Sequence, residues 1–295
     1  MMEIFGISVP ALAGQLLIGL FNGAFYALLS LGLAVIFGML RIINFAHGAF
    51  YMLGAFSAYM LSAYLEASFW VSLLIVPLIL AALAAVLERS MLQRLAGLDP
   101  LYGLLLTFGF ALILEGGMQY VFGVAGQPYS PPASLSGASN LGFMFMPHYR
   151  AFVIVVSLIV CFGTWLLIER TKIGSILRAA TENPSLSEVF GLNVPVLITA
   201  TYAFGAALAG IAGIMAAPVF QVSPYMGSNL IIVVFAVVVI GGMGSIMGAI
   251  ISGFALGLVE GLTKVIYSEA SNVVVFVIMA IVLYFRPAGL FGKDA

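Results

Sequence analysis

In a chain only 7% charged, the run Arg41-Ile-Ile-Asn-Phe-Ala-His-Gly-Ala-Phe-Tyr51 places an arginine, an asparagine and one of the two histidines within seven residues, with apolar sequence on both sides. Two chemistries fit it. In the first, Asn44 caps the helix that follows, with His47 at the third helical position, and the side chains serve the backbone. In the second, Asn44 and Gly48 share one helix face while His47 and Tyr51 share a neighbouring one, and the free N–H groups of a helix start at membrane depth receive a polar solute. Ionisable groups inside a membrane are costly, so they are candidates for function. Asn44, His47, Gly48 and Tyr51 are therefore candidates for a translocation path, while Arg41 reads as an anchor at the membrane surface. Gly241-Gly242-Met-Gly244 is a further candidate: either a broken helix whose unwound backbone lines a cavity, or a tightly packed turn. Glu115 is expected to bond a neighbouring helix, and Glu260 with Lys264 forms an i, i+4 pair that neutralises itself.

Other chemistry is missing from the sequence. The only Gly-Lys pair, Gly292-Lys293, is followed by Asp, so there is no phosphate-binding loop of the Walker type. No zinc-protease motif, cluster of metal ligands or set of nucleophile, base and orienter is evident, so no catalytic residue, metal or cofactor is expected. The single cysteine, Cys161, lies in an apolar run and has no partner for an internal disulfide.

The elements that must position these residues follow from composition. A chain of 295 residues with 63% hydrophobic and 7% charged residues is far from the soluble norm of about a quarter charged. It reads as an all-α polytopic membrane protein, and with no basic patch nucleic acid is excluded as a partner. A bilayer core of about 30 Å takes about 20 helical residues. On that measure the apolar runs are 11–40, 45–65, 69–88, 101–122, 151–168, 195–216, 228–243, 246–262 and 272–285. About nine transmembrane helices are expected, within a range of eight to ten, some of them broken; the first run is long enough to be a pair divided at Leu29-Ser30. The N-terminus has Glu3 and no basic segment, so the first run is expected to be a real span rather than a cleaved leader. Small residues repeat at four-residue spacing at Gly19 and Gly23, at Gly244, Gly248 and Ser252, and at Gly253, Gly257 and Gly261, a pattern that lets helices approach closely.

Lysine and arginine are retained on the cytoplasmic side. With the connection after the fifth run inside, Arg41, Arg89, Arg94, Arg170, Lys172, Arg178, Arg286 and Lys293 are cytoplasmic, and only Arg150 and Lys264 are outside. The C-terminus is then cytoplasmic. The chain is expected to be a single transmembrane domain over 1–295, with an external loop at 123–149 and a cytoplasmic loop at 169–195. In the latter, Gly174 to Ala180 is expected to be helical, Thr181-Glu182-Asn183-Pro184 to turn, and Ser185 to Phe190 to form a second short helix stopped by Gly191. Such a pair is either an amphipathic connector or a docking surface, with Ile176, Leu177, Leu186, Val189 and Phe190 on its apolar side.

The run Leu33 to Gly48, the loop run Arg178-Ala179-Ala-Thr-Glu182-Asn183-Pro184-Ser-Leu-Ser-Glu-Val-Phe-Gly191-Leu-Asn-Val194, the run Gly241 to Gly248 and Tyr284 to Gly292 together resemble the LivH-like permease subunits of branched-chain amino-acid ABC importers. The resemblance covers nearly the whole chain. It implies an importer permease bundle in a bacterial or archaeal cytoplasmic (inner) membrane. The implied partners are a second, related permease, two cytoplasmic ATPases, an external (periplasmic) solute-binding protein and the lipid bilayer. It also implies that the loop matching Arg178 to Asn193, with Arg178, Ala179, Glu182, Asn183, Pro184 and Gly191, couples to an ATPase. Leu186 and Ser187 depart from the small alanines common in those permeases.

The resulting expectation is a permease subunit, not itself an enzyme, of an ATP-driven importer for a small polar solute, with Leu, Ile and Val as first choice. Urea, amides or other small carboxylates are alternative cargoes on the same scaffold. The rival from another class is a self-contained, gradient-driven transporter or channel, which needs a relay or ring of ionisable residues within the spans.

Overall fold

A computed structural model describes residues 3–4, 7–40, 42–95 and 97–292, and the chain in it is almost wholly helical. Among the described residues, seven helices are long and apolar enough to cross a membrane, and two more are apolar but shorter. The helices are α1 (Val9–Leu40), α2 (Ala46–Leu65), α3 (Phe69–Ser90), α4 (Pro100–Phe122), α5 (His148–Arg170), α6 (Lys172–Glu182), α7 (Pro184–Val189), α8 (Val194–Ala216), α9 (Met226–Gly241), α10 (Ile246–Ile266) and α11 (Val274–Phe285). The only strands among the described residues are two short antiparallel pairs, Glu3–Ile4 with Ile7–Ser8 and Ala138–Asn140 with Phe145–Pro147. Arg41 and Lys293 lie outside the described residues.

An all-α solution is what the solvent demands, because a spanning segment in hydrocarbon must satisfy every backbone polar group within itself. Polar side chains then mark the helix starts. Ser68 accepts from the Val71 amide at 3.4 Å, Asp99 from Leu101 at 2.9 Å and Asn193 from Val196 at 3.2 Å. Pro100 and Pro195 fall in the first turns of α4 and α8, where an N–H is not needed. The expected division of the first run at Ser30 does not occur. Helix α1 is continuous over 32 residues, and the buried Ser30 hydroxyl donates to the Val234 carbonyl at 3.3 Å instead of breaking its own helix. At about 1.5 Å per residue α1 is about 48 Å long, so it either tilts or projects beyond a bilayer core.

The chain forms two compact units, Met1–Ser30 with Pro131–Phe162 and Val233–Ala295, and Leu31–Ser130 with Gly163–Ile232. In the first, the small-residue repeats meet as antiparallel partners: Gly19 lies on Gly257 and Gly261, Gly23 on Gly253 and Phe254, and Ala27 on Gly253. A Cβ added at Gly19 would stand 2.5 Å from the Gly257 carbonyl oxygen, so backbone contact there leaves no space for a side chain. Tyr26 of α1 donates to Glu260 of α10 at 2.6 Å, and Lys264 completes that carboxylate's pairing at 2.6 Å. A cluster of Ala236, Val237, Ile240, Leu256 and Val275 fills the space between α9, α10 and α11.

In the second unit α2, α3 and α8 pack as a group, with α4 against α2. Gly54 of α2 lies on Gly210 of α8, and Gly213 of α8 lies against the Tyr51 carbonyl of α2. Pro77 is tolerated inside α3; neighbouring helices re-satisfy freed backbone groups at such sites in membranes.

Candidate functional site

Asn44 lies in the connection between α1 and α2 and is 2% exposed. Its Oδ1 accepts from the Ala46 amide at 3.1 Å and from the Tyr202 hydroxyl of α8 at 3.3 Å, while its Nδ2 has no partner. The capping expectation is therefore met in chemistry but moved in register: α2 begins at Ala46, with Phe45 at the N-cap position and His47 at the second helical residue. The Phe45 amide donates to Thr107 Oγ1 of α4 at 3.3 Å, and that hydroxyl reaches the Leu104 carbonyl at 3.0 Å. Thus α4 and α8 both hold the segment that leads into α2. His47 is fully buried, with Gly32 of α1 so close that a Cβ there would stand 2.8 Å from Cε1. Tyr51, 3% exposed, is likewise inside the helix packing.

Of the path candidates in this stretch, only Gly48 borders a pocket. Together with Phe45, Met52, Phe108, Glu115 and Ile231 it lines a pocket between α2, α4 and the start of α9, with about 400 Å³ of free space including its mouth. Glu115 is the only charged residue among those lining it, and Gln119 Nε2, one turn on, donates to it at 3.4 Å. The expectation that Glu115 bonds a neighbouring helix is corrected here: the residue that donates to it, Gln119, is on its own helix. Gly48 and Gly227 form the floor, where each glycine abuts the other's carbonyl and a methyl group on either would clash.

Gly241, Gly242 and Gly244 belong to the other unit. Gly242 and Gly244 take φ values of 101° and 84°, which a side chain disfavours, and they turn the chain from α9 into α10. Ser245 then caps α10 by accepting from Gly248 at 3.1 Å. The C-terminal segment covers this turn. The Leu290 amide donates to Ile240 at 2.8 Å and the Phe291 amide to Gly241 at 3.0 Å, and Gly292 packs on Gly242. Of the two readings of these glycines, close packing is the geometry present.

The helix count, the break held by Asn44 and the glycine turn together agree with one comparison. The family model described as branched-chain amino acid transport system / permease component matches residues 15–283. The chain belongs to this family. It is 31% identical to the high-affinity branched-chain amino acid transport system permease protein BraD of Pseudomonas aeruginosa, over 95% of each chain. It is 27% identical to the permease protein LivH of Escherichia coli K12, again over 95% of each, and 27% identical to that organism's LivM, over 90% of this chain and 67% of LivM. No solved structure matches.

The permease carries its densest charge on α6 and α7. Arg178 turns back onto the end of α5, donating to the Ile168 carbonyl at 2.9 Å and pairing with Glu169 at 3.3 Å, a favourable place for a cation beside exposed helix-end carbonyls. Gly174, pressed on Ile168, allows that approach. Asn183 accepts from the Leu186 amide at 3.0 Å and Pro184 opens α7, so the predicted turn and second helix are both present, and Gly191 at φ 83° ends it. Ala179, Glu182, Asn183, Pro184 and Gly191 are all exposed, as are Leu186, Val189 and Phe190, the last two about four-fifths so (82% and 78%).

Sequence reasoning passed over Thr107, Tyr202 and the pair Glu88–Thr199, whose hydroxyl donates to the buried Glu88 carboxylate at 2.5 Å. Thr199 and Tyr202 stand three apart on α8, so one face of that helix carries both hydroxyls toward polar partners. That spacing was the available signal.

Proposed function

We propose that this permease is the membrane-spanning subunit of an ATP-driven importer that brings branched-chain amino acids into the cytoplasm. Family membership carries the reading; the relatives BraD, LivH and LivM are named for branched-chain amino acid transport. Similarity to both LivH and LivM supports pairing with a second, related permease. Two cytoplasmic ATPases supply the energy, since the chain has no phosphate-binding loop of its own, and an external binding protein delivers cargo. The membrane is the cytoplasmic one, with the C-terminus inside, as the distribution of Lys and Arg favours. The chain acts as one permease domain.

On this reading α6 and α7 form the coupling loop. The exposed Leu186, Val189 and Phe190 enter a cleft on an ATPase, while Arg178 and Asn183 hold the loop's shape. Gly48 lines the path, and Asn44, His47 and Tyr51 position α2 around it. Closure of the ATPases pulls the loop, and the helices alternate access. The experiment is reconstitution: this chain, its partner permease, the ATPases and the binding protein in liposomes should accumulate L-leucine only with ATP. Equal uptake by this chain alone down a gradient contradicts the proposal.

A further inference from the structure

We infer that the pocket between α2, α4 and α9 holds the cargo during its passage, with the Glu115 carboxylate receiving the cargo's ammonium group. The inference deepens the proposed function and rests on it.

Glu115 sits two-thirds of the way along an apolar helix, and the pocket it lines contains no basic residue. A carboxylate at membrane depth is costly without a counter-charge. The one hydrogen bond it accepts, 3.4 Å from a neutral amide, uses a fraction of the four lone-pair sites that two carboxylate oxygens offer. A cationic head group supplies what is missing. Across the pocket, Gly227 and Ser228 belong to the first turn of α9, where amides have no partner within the helix and the dipole favours an anion. The rest of the wall is apolar, with Met52, Phe108, Leu112 and Ile231 around the free space.

This arrangement has a positive requirement, a negative requirement and an apolar one. A zwitterion with a hydrocarbon side chain meets all three. Urea and simple amides lack the ammonium, and carboxylates without an amine would place their charge beside Glu115. The pocket thus discriminates among the cargoes left open by the sequence, independently of the binding protein.

The test uses the whole importer in liposomes with saturating binding protein and L-leucine. Glu115→Gln keeps the shape and removes the charge. Leucine uptake should fall about tenfold or more, Glu115→Asp should retain part of the rate, and ATP hydrolysis stimulated by the binding protein should stay within about twofold of wild type. Wild-type uptake by Glu115→Gln overturns the inference. So does a parallel loss of stimulated ATP hydrolysis, because Glu115 then supports assembly and not cargo. If Glu115→Gln does not assemble, Leu112→Cys in a Cys161→Ser background reads the same site. L-leucine should slow its alkylation by a maleimide, and the hydroxy-acid analogue of leucine, which has no ammonium, should not. Slowing by both or by neither overturns the inference. A wild-type importer that moves no leucine is a different result, and removes the proposed function itself.

Discussion

Gly213 stands where the Tyr51 carbonyl of the neighbouring helix leaves no space for a methyl group, whereas nothing lies within 4 Å of a Cβ built on Gly109. The two glycines therefore make opposite predictions. Gly213→Ala should lower the stability of the purified protein by about 1–3 kcal/mol, the usual cost of overpacking. Gly109→Ala should be neutral, or stabilising by up to about 1 kcal/mol through helix propensity. Thermal unfolding in one detergent compares them directly, and equal effects would mean that α2 and α8 are not in backbone contact. Glu260 makes a second case. Its side chain is 8% exposed and it is held by both Tyr26 and Lys264. Lys264→Met leaves a buried charge half-paired and should cost about 3–5 kcal/mol, and adding Glu260→Gln should recover a large part of it. Strict additivity of the two changes would show that the pair does not interact. At this scale the sequence was legible where a residue's partner is near in the chain, as with Glu260 and Lys264. It was not legible for Glu115, because the wall it faces comes from residues about sixty positions earlier and a hundred later.

The helices themselves were read nearly whole from hydropathy. All nine apolar runs correspond to helices whose bounds shift by only a few residues, because a bilayer filters on length and apolarity and leaves little to tertiary context. The exception was the first run. Its length suggested two helices, but Ser30 found a carbonyl on another segment, and a hydroxyl that can bond elsewhere does not stop a helix. The loop pair α6 and α7 was legible because Asn183 and Pro184 are start signals whatever surrounds them. Two predictions belong to these elements. Asn183→Ala removes the cap on α7 and should cost about 1 kcal/mol locally, seen as faster amide exchange over Pro184–Val189. Glu182→Arg and Pro184→Leu should leave insertion and assembly intact but let ATP hydrolysis run without uptake. Normal leucine uptake in both variants would take this loop out of the mechanism.

For the molecule as a whole, the sequence declared a membrane protein and its family. Which polar groups are satisfied by protein depends on packing between distant helices. Asn44 illustrates this: its carboxamide serves Ala46 and Tyr202, the second of them 158 positions away. Gly48, four residues on, opens to the pocket. The chain has no phosphate-binding loop of the Walker type, and the proposed dependence of transport on partner ATPases is the central claim. The most direct measurement is leucine accumulation in liposomes containing this chain, with the permease partner, ATPases and binding protein each present or omitted. The account predicts accumulation against a gradient only when all are present with ATP. Accumulation by this chain alone, driven by a proton or sodium gradient, would contradict it.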